Sequence, residues 1–337
     1  MVSLKMLYEI EYYCKVLKED ESPFGGIRIV LLCGGFYQMP PVQGHALYWN
    51  PNNNGRTKTC GDDNDNAVID PRQTLEMQGK RLWEMFTTVV LLTEQMRQAG
   101  DLQYLELLRR TRKGELTEDD YTRLTARIVG QLDFESGCGK IITRSNAVRH
   151  QLNFTGVLGM AARMKNPVYL FLAEHSRHPK VKNSELFALG DNSSKTPGPG
   201  IFAYTEGMPI MINSNRHTVL GIVNGKEGVA AGVSFDPTSD VIHIRENIYL
   251  IIKPPTCVYI RIKDAKFKQL DGLDENVISI PKQGMKVSVI GGKFGTCRVK
   301  RIQVPCCPAF AITHYKAHGR TFDKIMVDIE VNKGGKF

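Results

Sequence analysis

L-L-C-G-G-F-Y-Q-M-P-P-V, residues 31–42, closes an almost unbroken apolar run that begins at Ile27. A short run of this kind, ended by Gly34-Gly35, predicts a strand buried on both faces of a parallel sheet. In such sheets ligands bind beyond the C-terminal ends of the strands. Gln38 stands at that position. Its amide can touch a phosphate or orient a water; taken alone, it reads rather as an ordinary loop amide beside the rigid turn Pro40-Pro41. A second buried strand is expected at Val89 to Leu92, running into the polar residues of L-L-T-E-Q-M-R-Q at 91–98. Arg97 has the fork geometry that suits a phosphate, and an ion pair with Glu94 is the alternative.

N-terminal to this, Leu4, Leu7, Cys14 and Leu17 fall near helical spacing, so residues 1–18 predict an amphipathic helix ended by Pro23-Phe24-Gly25-Gly26. Residues 43–80 are polar, with Asn52-Asn53-Asn54 and Asp62-Asp63-Asn64-Asp65, and predict a long surface loop. Leu102, Leu105 and Leu108 mark a helix closed by Arg112-Lys113-Gly114. Thr117-Glu118-Asp119-Asp120 opens another in the manner of a capping box.

From Lys140 onward strands and helices alternate. Strands are expected at Ile141 to Thr143, Val168 to Leu172 and Met208 to Ile212, with a helix from Asn146 to Leu152. Residues 238–304 change texture. Ile242 to Ile244, Cys257 to Ile262, Met285 to Ile290 and Cys297 to Val304 are short strands separated by Pro, Gly and Lys, which predicts a small all-β unit. Phe310 to Thr313 and Lys324 to Val331 return to the mixed pattern.

Two further stretches carry chemistry. G-I-V-N-G at 221–225 spells a tight turn whose backbone can approach a ligand, or a plain hairpin turn. A-I-T-H-Y-K-A-H-G-R-T-F at 311–322 runs a strand into Thr313, His314, Tyr315, Lys316, His318 and Arg320. These are phosphate-capable donors where a helix begins; a merely basic helix start is the alternative.

Composition limits the class. The 337 residues are 42% hydrophobic and 23% charged, which excludes wholesale disorder. The excess of 44 basic over 35 acidic residues, +9, favours an acidic ligand or nucleic acid without requiring one. No apolar run approaches the ~18 residues of a spanning helix. Acids inside the apolar pattern of the N-terminus argue against a signal peptide. The eight cysteines form no C-x-x-C, and Cys306-Cys307 are adjacent, which suits neither a zinc knuckle nor a disulfide framework. An intracellular, reduced, soluble protein is the expectation.

Taken in order, four stretches resemble the Pif-type (petite integration frequency) DNA helicases of superfamily one, including the helicase-like genes of Helitron elements. Residues 34–42 are similar to the family's G-D-F-x-Q-L-P-P-V, residues 92–98 to its L-x-x-x-x-R-Q, Gly221 to Gly225 to its G-L-V-N-G, and Ile312 to Phe322 to its I-T-x-H-K-S-Q-G-x-T-L. The chain also departs from the pattern. The aspartate of the first motif is Gly35. The histidine, serine and glutamine of the last are Tyr315, Ala317 and His318. No G-x-x-x-x-G-K-[ST] occurs: Gly79-Lys80, Gly139-Lys140, Gly225-Lys226 and Gly292-Lys293 all lack the following Ser or Thr. The Mg²⁺-binding D-E pair is missing too. Met1-Val2-Ser3 resembles the S-M-V-S that comes after this pair in the family. The chain ends at Phe337, before the family's final S-R motif.

The resemblance implies two RecA-like α/β domains of the P-loop NTPase type, each on a parallel sheet. The first, residues 1–130, would be truncated at its N-terminus. The second would comprise 131–225 and 305–337, with a small β-barrel inserted at 226–304. In the family ATP and Mg²⁺ bind between the domains. The resemblance places Gln38, Arg97 and Gly319 at that cleft, Gln38 and Arg97 as sensors of the γ-phosphate. It assigns Thr313, Lys316, Asn224 and His314 to DNA. It implies single-stranded or forked DNA as partner, a monomer, no membrane, and work in nucleus or mitochondrion in repair, recombination, or telomere or transposon maintenance. Without the phosphate loop, three readings stand: part of an ATP-dependent DNA helicase that lacks ATPase activity by itself, a non-catalytic single-strand-binding remnant, or a non-functional gene fragment.

Overall fold

The computed structural model describes residues 2–41, 44–50, 71–94, 96, 100–129, 139–176, 181–191, 196–267, 269–290 and 296–329. The chain divides into two units, Met1–Ile128 and Val129–Phe337.

The first unit is helical among its described residues. Helix α1 (Leu4–Lys18) starts at Ser3, whose hydroxyl accepts from the Met6 N–H, and ends at Glu19 in the left-handed region. Helix α2 (Pro71–Glu84) crosses it so closely that a Cβ on Gly79 would lie 1.9 Å from the Leu4 carbonyl oxygen. Most of α2 therefore falls where the sequence predicts a loop. The reason is physical: its only fully buried position among those described is a glycine, so no apolar stripe announces it. Helix α3 (Leu102–Lys113) is capped by Asp101 and closed by Gly114 at φ 75°. Helix α4 (Glu118–Thr125) opens on the capping box of Thr117 and Asp120. Arg110 grips the buried Asp120 through two hydrogen bonds of 2.6 and 2.7 Å, tying α3 to α4. That guanidinium holds the Asp120 carboxyl well below the usual carboxylate range.

The two strands expected in this unit are not formed. Residues 27–33 and 89–92 join no ladder, and Ile29, Leu31 and Leu92 are 75%, 79% and 92% exposed. A parallel strand is buried only by neighbours on both sides and helices on both faces, and no described residue of this unit pairs with these runs.

The second unit begins with β1 (Lys140–Thr143), α5 (Asn146–Met164), β2 (Val168–Leu172), β3 (Glu174–His175), α6 (Asn183–Ala188), β4 (Ile201–Tyr204) and β5 (Pro209–Ile212). It continues through β6 (Glu227–Ser234), β7 (Val241–Arg245), β8 (Ile248–Ile251), β9 (Cys257–Arg261), β10 (Val277–Pro281), β11 (Gln283–Ile290) and β12 (Thr296–Gln303). It closes with β13 (Cys306–Pro308), β14 (Ala311–Thr313), α7 (His314–Ala317) and β15 (Ile325–Val327). Strand β1 lies between β14 and β15, parallel to both, with Ile141 opposite Ala311 and Met326. The side chain of Asn153 on α5 clamps this sheet, accepting from the Ala311 N–H at 2.7 Å and donating to its carbonyl at 3.1 Å.

The β-rich region differs from expectation. Its strands form no closed barrel of their own among the described residues. Instead β6, β9 and β10 join β5 and β13 in one sheet, β7 and β8 join β2 and β4 in a second, and β11 and β12 join β3 in a third. The first two sheets share a core of Phe171, Phe202, Ile210, Ile251, Val258 and Ile260, to which α5 adds Val157 and Ala161. Alternating apolar residues reveal strands, but pairing is decided by which apolar faces must be covered together. Here the covering strands come from residues 168–212. No described helix is long and apolar enough to cross a membrane.

Arg301 on β12 is fully buried. It donates to His175 Nε2 at 2.8 Å and to the carbonyls of Gly198, Leu189 and Leu186. Burial, then the Arg301 charge, pushes the His175 imidazole down to about 4 from 6.5. Because the folded value is lowered, the unfolded chain takes the proton first. The contribution is complete above about pH 6.5 and is lost as pH falls toward 4. Thermal melts from neutral pH to pH 4.5 should therefore show a falling limb, and His175→Gln, which keeps an acceptor for Arg301 but cannot titrate, should flatten it relative to wild type. An identical limb in the variant would remove His175 as its cause.

Candidate nucleic-acid interface

Two segments far apart in sequence meet in the second unit. The first is the G-I-V-N-G turn. Gly221 and Gly225 have φ of 72° and 92°, in the left-handed region that glycine tolerates. Ile222 tucks inside and exchanges backbone hydrogen bonds with His217. The Asn224 N–H is held by Asn215 Oδ1 at 2.8 Å, which leaves the Asn224 side chain exposed. The second segment leaves the sheet at β14, turns through α7 and reverses at Gly319, φ 76°.

Between them lies an open groove of about 780 Å³. Lys226, Lys263, Lys316 and Arg320 line it against the carboxylates of Glu227 and Asp264, with Asn224, Gly225 and Tyr315 completing its walls. Glu227 is already neutralised, by Lys140 at 2.9 Å and Arg320 at 2.7 Å. Arg320 also sits over the Phe322 ring, 5.2 Å from its centre. Tyr315 is 46% exposed, so an aromatic side chain stands beside the cations.

Lys316 is half-buried, and its ammonium is anchored from behind. Nζ lies 3.0 Å from Asn213 Oδ1 and 3.0 Å from Met211 Sδ. The amide of Asn213 is itself oriented, because Nδ2 donates to Asp191 Oδ2 at 3.1 Å and to the Pro197 carbonyl at 3.0 Å. With both amide protons used, only Oδ1 can face Lys316. Asp191 in turn pairs with Arg149 at 2.9 Å, and Arg149, Asp191 and Asn213 are 4%, 3% and 2% exposed. Burial lowers the Lys316 pKa. Burial likewise pushes the neighbouring Cys307 thiol up to about 12, which keeps it protonated and unreactive.

The structure thus brings Asn224 and Lys316 to one groove. Thr313 and His314 lead into it without lining it: Thr313 pairs with Thr143 in the sheet, and the His314 ring packs on Tyr315 at 4.4 Å. Gly319 is exposed just beyond α7. Gln38 occupies an exposed turn of the first unit, its side chain lying over Gly35. Arg97 lies outside the described residues. Sequence reasoning missed Arg149, Asp191 and Asn213, which come from a helix, a loop and a strand end with no shared motif.

The described residues do not fit a nucleotide phosphate site of the P-loop type. Gly79-Lys80 is helix interior, its glycine packed on Leu4. Lys140 is committed to Glu227 and the Ala309 carbonyl. Gly225-Lys226 belongs to the groove turn, and Gly292-Lys293 lies outside the described residues. Among the described residues no group of three or more His, Cys, Asp or Glu side chains could hold a metal ion.

No family model matches the chain. Curated relatives do. The ATP-dependent DNA helicase PIF1 of Candida albicans is 30% identical over 129 residues, 37% of this chain and 12% of that protein. RRM3 of Saccharomyces cerevisiae, also an ATP-dependent DNA helicase, is 21% identical over 98% of this chain and 46% of its own length. Mouse PIF1 is 22% identical over 98% of this chain and 40% of its own. The chain thus spans less than half the length of these relatives. Among solved structures, Candida albicans Pif1 superposes with a TM-score of 0.59 at 19% identity, over 97% of this chain and 63% of that one. Bacteroides Pif1 bound to single-stranded DNA gives a TM-score of 0.54 at 16% identity, over 97% and 62%.

Proposed function

We propose that this chain, which is related in sequence and in fold to the Pif1-type DNA helicases, carries the strand-gripping part of such a motor and does not by itself hydrolyse ATP. One observation carries the reading: the turn at Asn224 and the helix start at Lys316 converge on a single groove that pairs cations with an exposed tyrosine. Cations that follow a backbone beside an aromatic face on which bases stack are the chemistry of single-strand binding. Lys226, Lys263 and Lys316 meet phosphates, and Tyr315 meets a base. Thr313 and His314 flank the path. The relatives are DNA helicases, so we place the work of the chain where DNA is, in nucleus or mitochondrion, on single-stranded or forked substrates.

Fluorescence anisotropy with a labelled oligothymidine tests this. Affinity should fall steeply as salt rises, with a slope near −0.7 per phosphate contact. Tyr315→Ala should weaken binding by ~1–3 kcal/mol. Lys316→Ala should weaken it on all sequences alike. Salt-independent binding, or a loss confined to one sequence, would sink the reading.

In an intact motor Gln38, Arg97 and Gly319 are the residues we propose to face the nucleotide. Sensors act only on a triphosphate that is already held, and this chain has neither the P-loop lysine nor the Mg²⁺-binding acids. Purified residues 1–337 should show no ATP hydrolysis above background, with or without DNA. Robust DNA-stimulated turnover by this chain would overturn that part of the proposal.

A further inference from the structure

The hairpin of β11 and β12 has two unlike faces. Inward, Met285, Val287, Val289, Cys297 and Val299 are buried against Val181 and Leu186. Outward, Lys286 stands directly opposite Lys300, and Ser288 opposite Arg298, all four exposed. The Lys300 chain runs across Gly284, where an added Cβ would meet its Cε at 3.2 Å. Like charges directly opposed on a sheet destabilise it. None of these three cations has an ion pair among the described residues, whose surface pairs lie elsewhere. The one acid along this sheet, Glu174, is opposite Ile302 at the far end, and its charge acts on Lys253.

Edge protection does not explain the arrangement. A lysine on an outer strand discourages edge-to-edge pairing, which accounts for Lys286 on β11. Lys300, however, stands where β12 is held on both sides, opposite Lys286 on β11 and by two hydrogen bonds to Ser176 just past β3. Three cations gathered on a flat face at a cost in stability point to an anion that relieves the repulsion. Among the described residues the outward positions of β11 and β12 hold no aromatic ring. The face therefore lacks the stacking partner of a single strand and suits a ligand whose bases are hidden and whose phosphates face outward.

We propose that Lys286, Arg298 and Lys300 form a binding face for the phosphate backbone of duplex DNA. This rests on the DNA-binding reading of the groove for the identity of the polyanion, and adds a second surface of different chemistry. The test compares a blunt labelled duplex with a labelled oligothymidine of equal length across a salt series. The variant is Lys286→Gln, Arg298→Gln and Lys300→Gln combined. All three positions are exposed, and a thermal melt checks that the fold is kept. The slope of log affinity against log salt for the duplex should become shallower by about 2–3, roughly 0.9 per lost phosphate contact, while oligothymidine binding holds. Arg298→Gln alone should take about one third of that change. An unchanged duplex slope overturns the proposal. So does a parallel loss on both ligands, which would mark a general field effect, and so does a wild-type chain that ignores duplex. A chain that binds duplex through this face yet ignores oligothymidine would overturn the groove reading and leave this one standing.

Discussion

Asp191→Ala should destabilise the second unit by about 3–5 kcal/mol in chemical denaturation, the cost of breaking a buried ion pair by removing one partner. Arg149 is 4% exposed and would keep its charge without a counter-ion. Its remaining partners are the Asp191 carbonyl at 2.7 Å, the Asn146 side chain at 3.3 Å and Cys307 Sγ at 3.7 Å. The loss would also travel outward. Asn213 would keep only the Pro197 carbonyl for its two amide protons, so its orientation toward Lys316 would no longer be imposed. At temperatures where the variant stays folded, its grip on oligothymidine should weaken as well. The double variant Arg149→Met with Asp191→Leu is the control. If the penalty comes from an uncompensated charge and not from lost shape, the pair should recover much of the stability that Asp191→Ala loses. Near-wild-type stability of Asp191→Ala would mean that the network does not carry what its burial implies.

Arg301→Met should cost about as much, roughly 3–5 kcal/mol, by a different route. Among the described residues Arg301 faces no carboxylate. Burial alone pushes its pKa down to about 10, and its partners are an imidazole and three backbone carbonyls. Those carbonyls belong to Leu186, Leu189 and Gly198, so one side chain satisfies the end of α6 and the loop after it. Methionine fills similar space but donates nothing, leaving the Leu186 and Gly198 carbonyls and His175 Nε2 without this donor, while the Leu189 carbonyl keeps the Gly200 N–H. Arg301→Lys should fall between, since an ammonium is a compact donor that cannot reproduce the planar fork. The measurement is the denaturant midpoint of the three proteins at pH 7.5, where His175 is neutral in both folded and unfolded chains. A lysine variant as stable as wild type would show that the charge, and not the fork geometry, is what the site needs.

The sequence by itself determined what neighbours along the chain can settle. The capping box at Thr117, the glycine that closes α3, the strand at Val168–Leu172 and the cation-rich start of α7 are all local patterns. Each depends on hydrogen bonds or periodicities that span a few residues. Resemblance to a family of motors, and not spacing, is what assigned Asn224 and Lys316 alike to DNA. Tertiary structure alone decided the rest. The runs at 27–33 and 89–92 have the composition of buried strands, yet lie exposed, because burial is conferred by partners and not carried by the run itself. Helix α2 hides in a polar stretch, because its contact with α1 is made by a glycine whose value is the side chain it lacks. The strands after residue 226 distribute over three sheets, because the apolar faces they must cover belong to residues 168–212. The network from Arg149 through Asp191 and Asn213 to Lys316 exists only once four distant segments are packed together. A buried charge needs its partner within a few ångströms in space, and no rule of sequence spacing sets that distance.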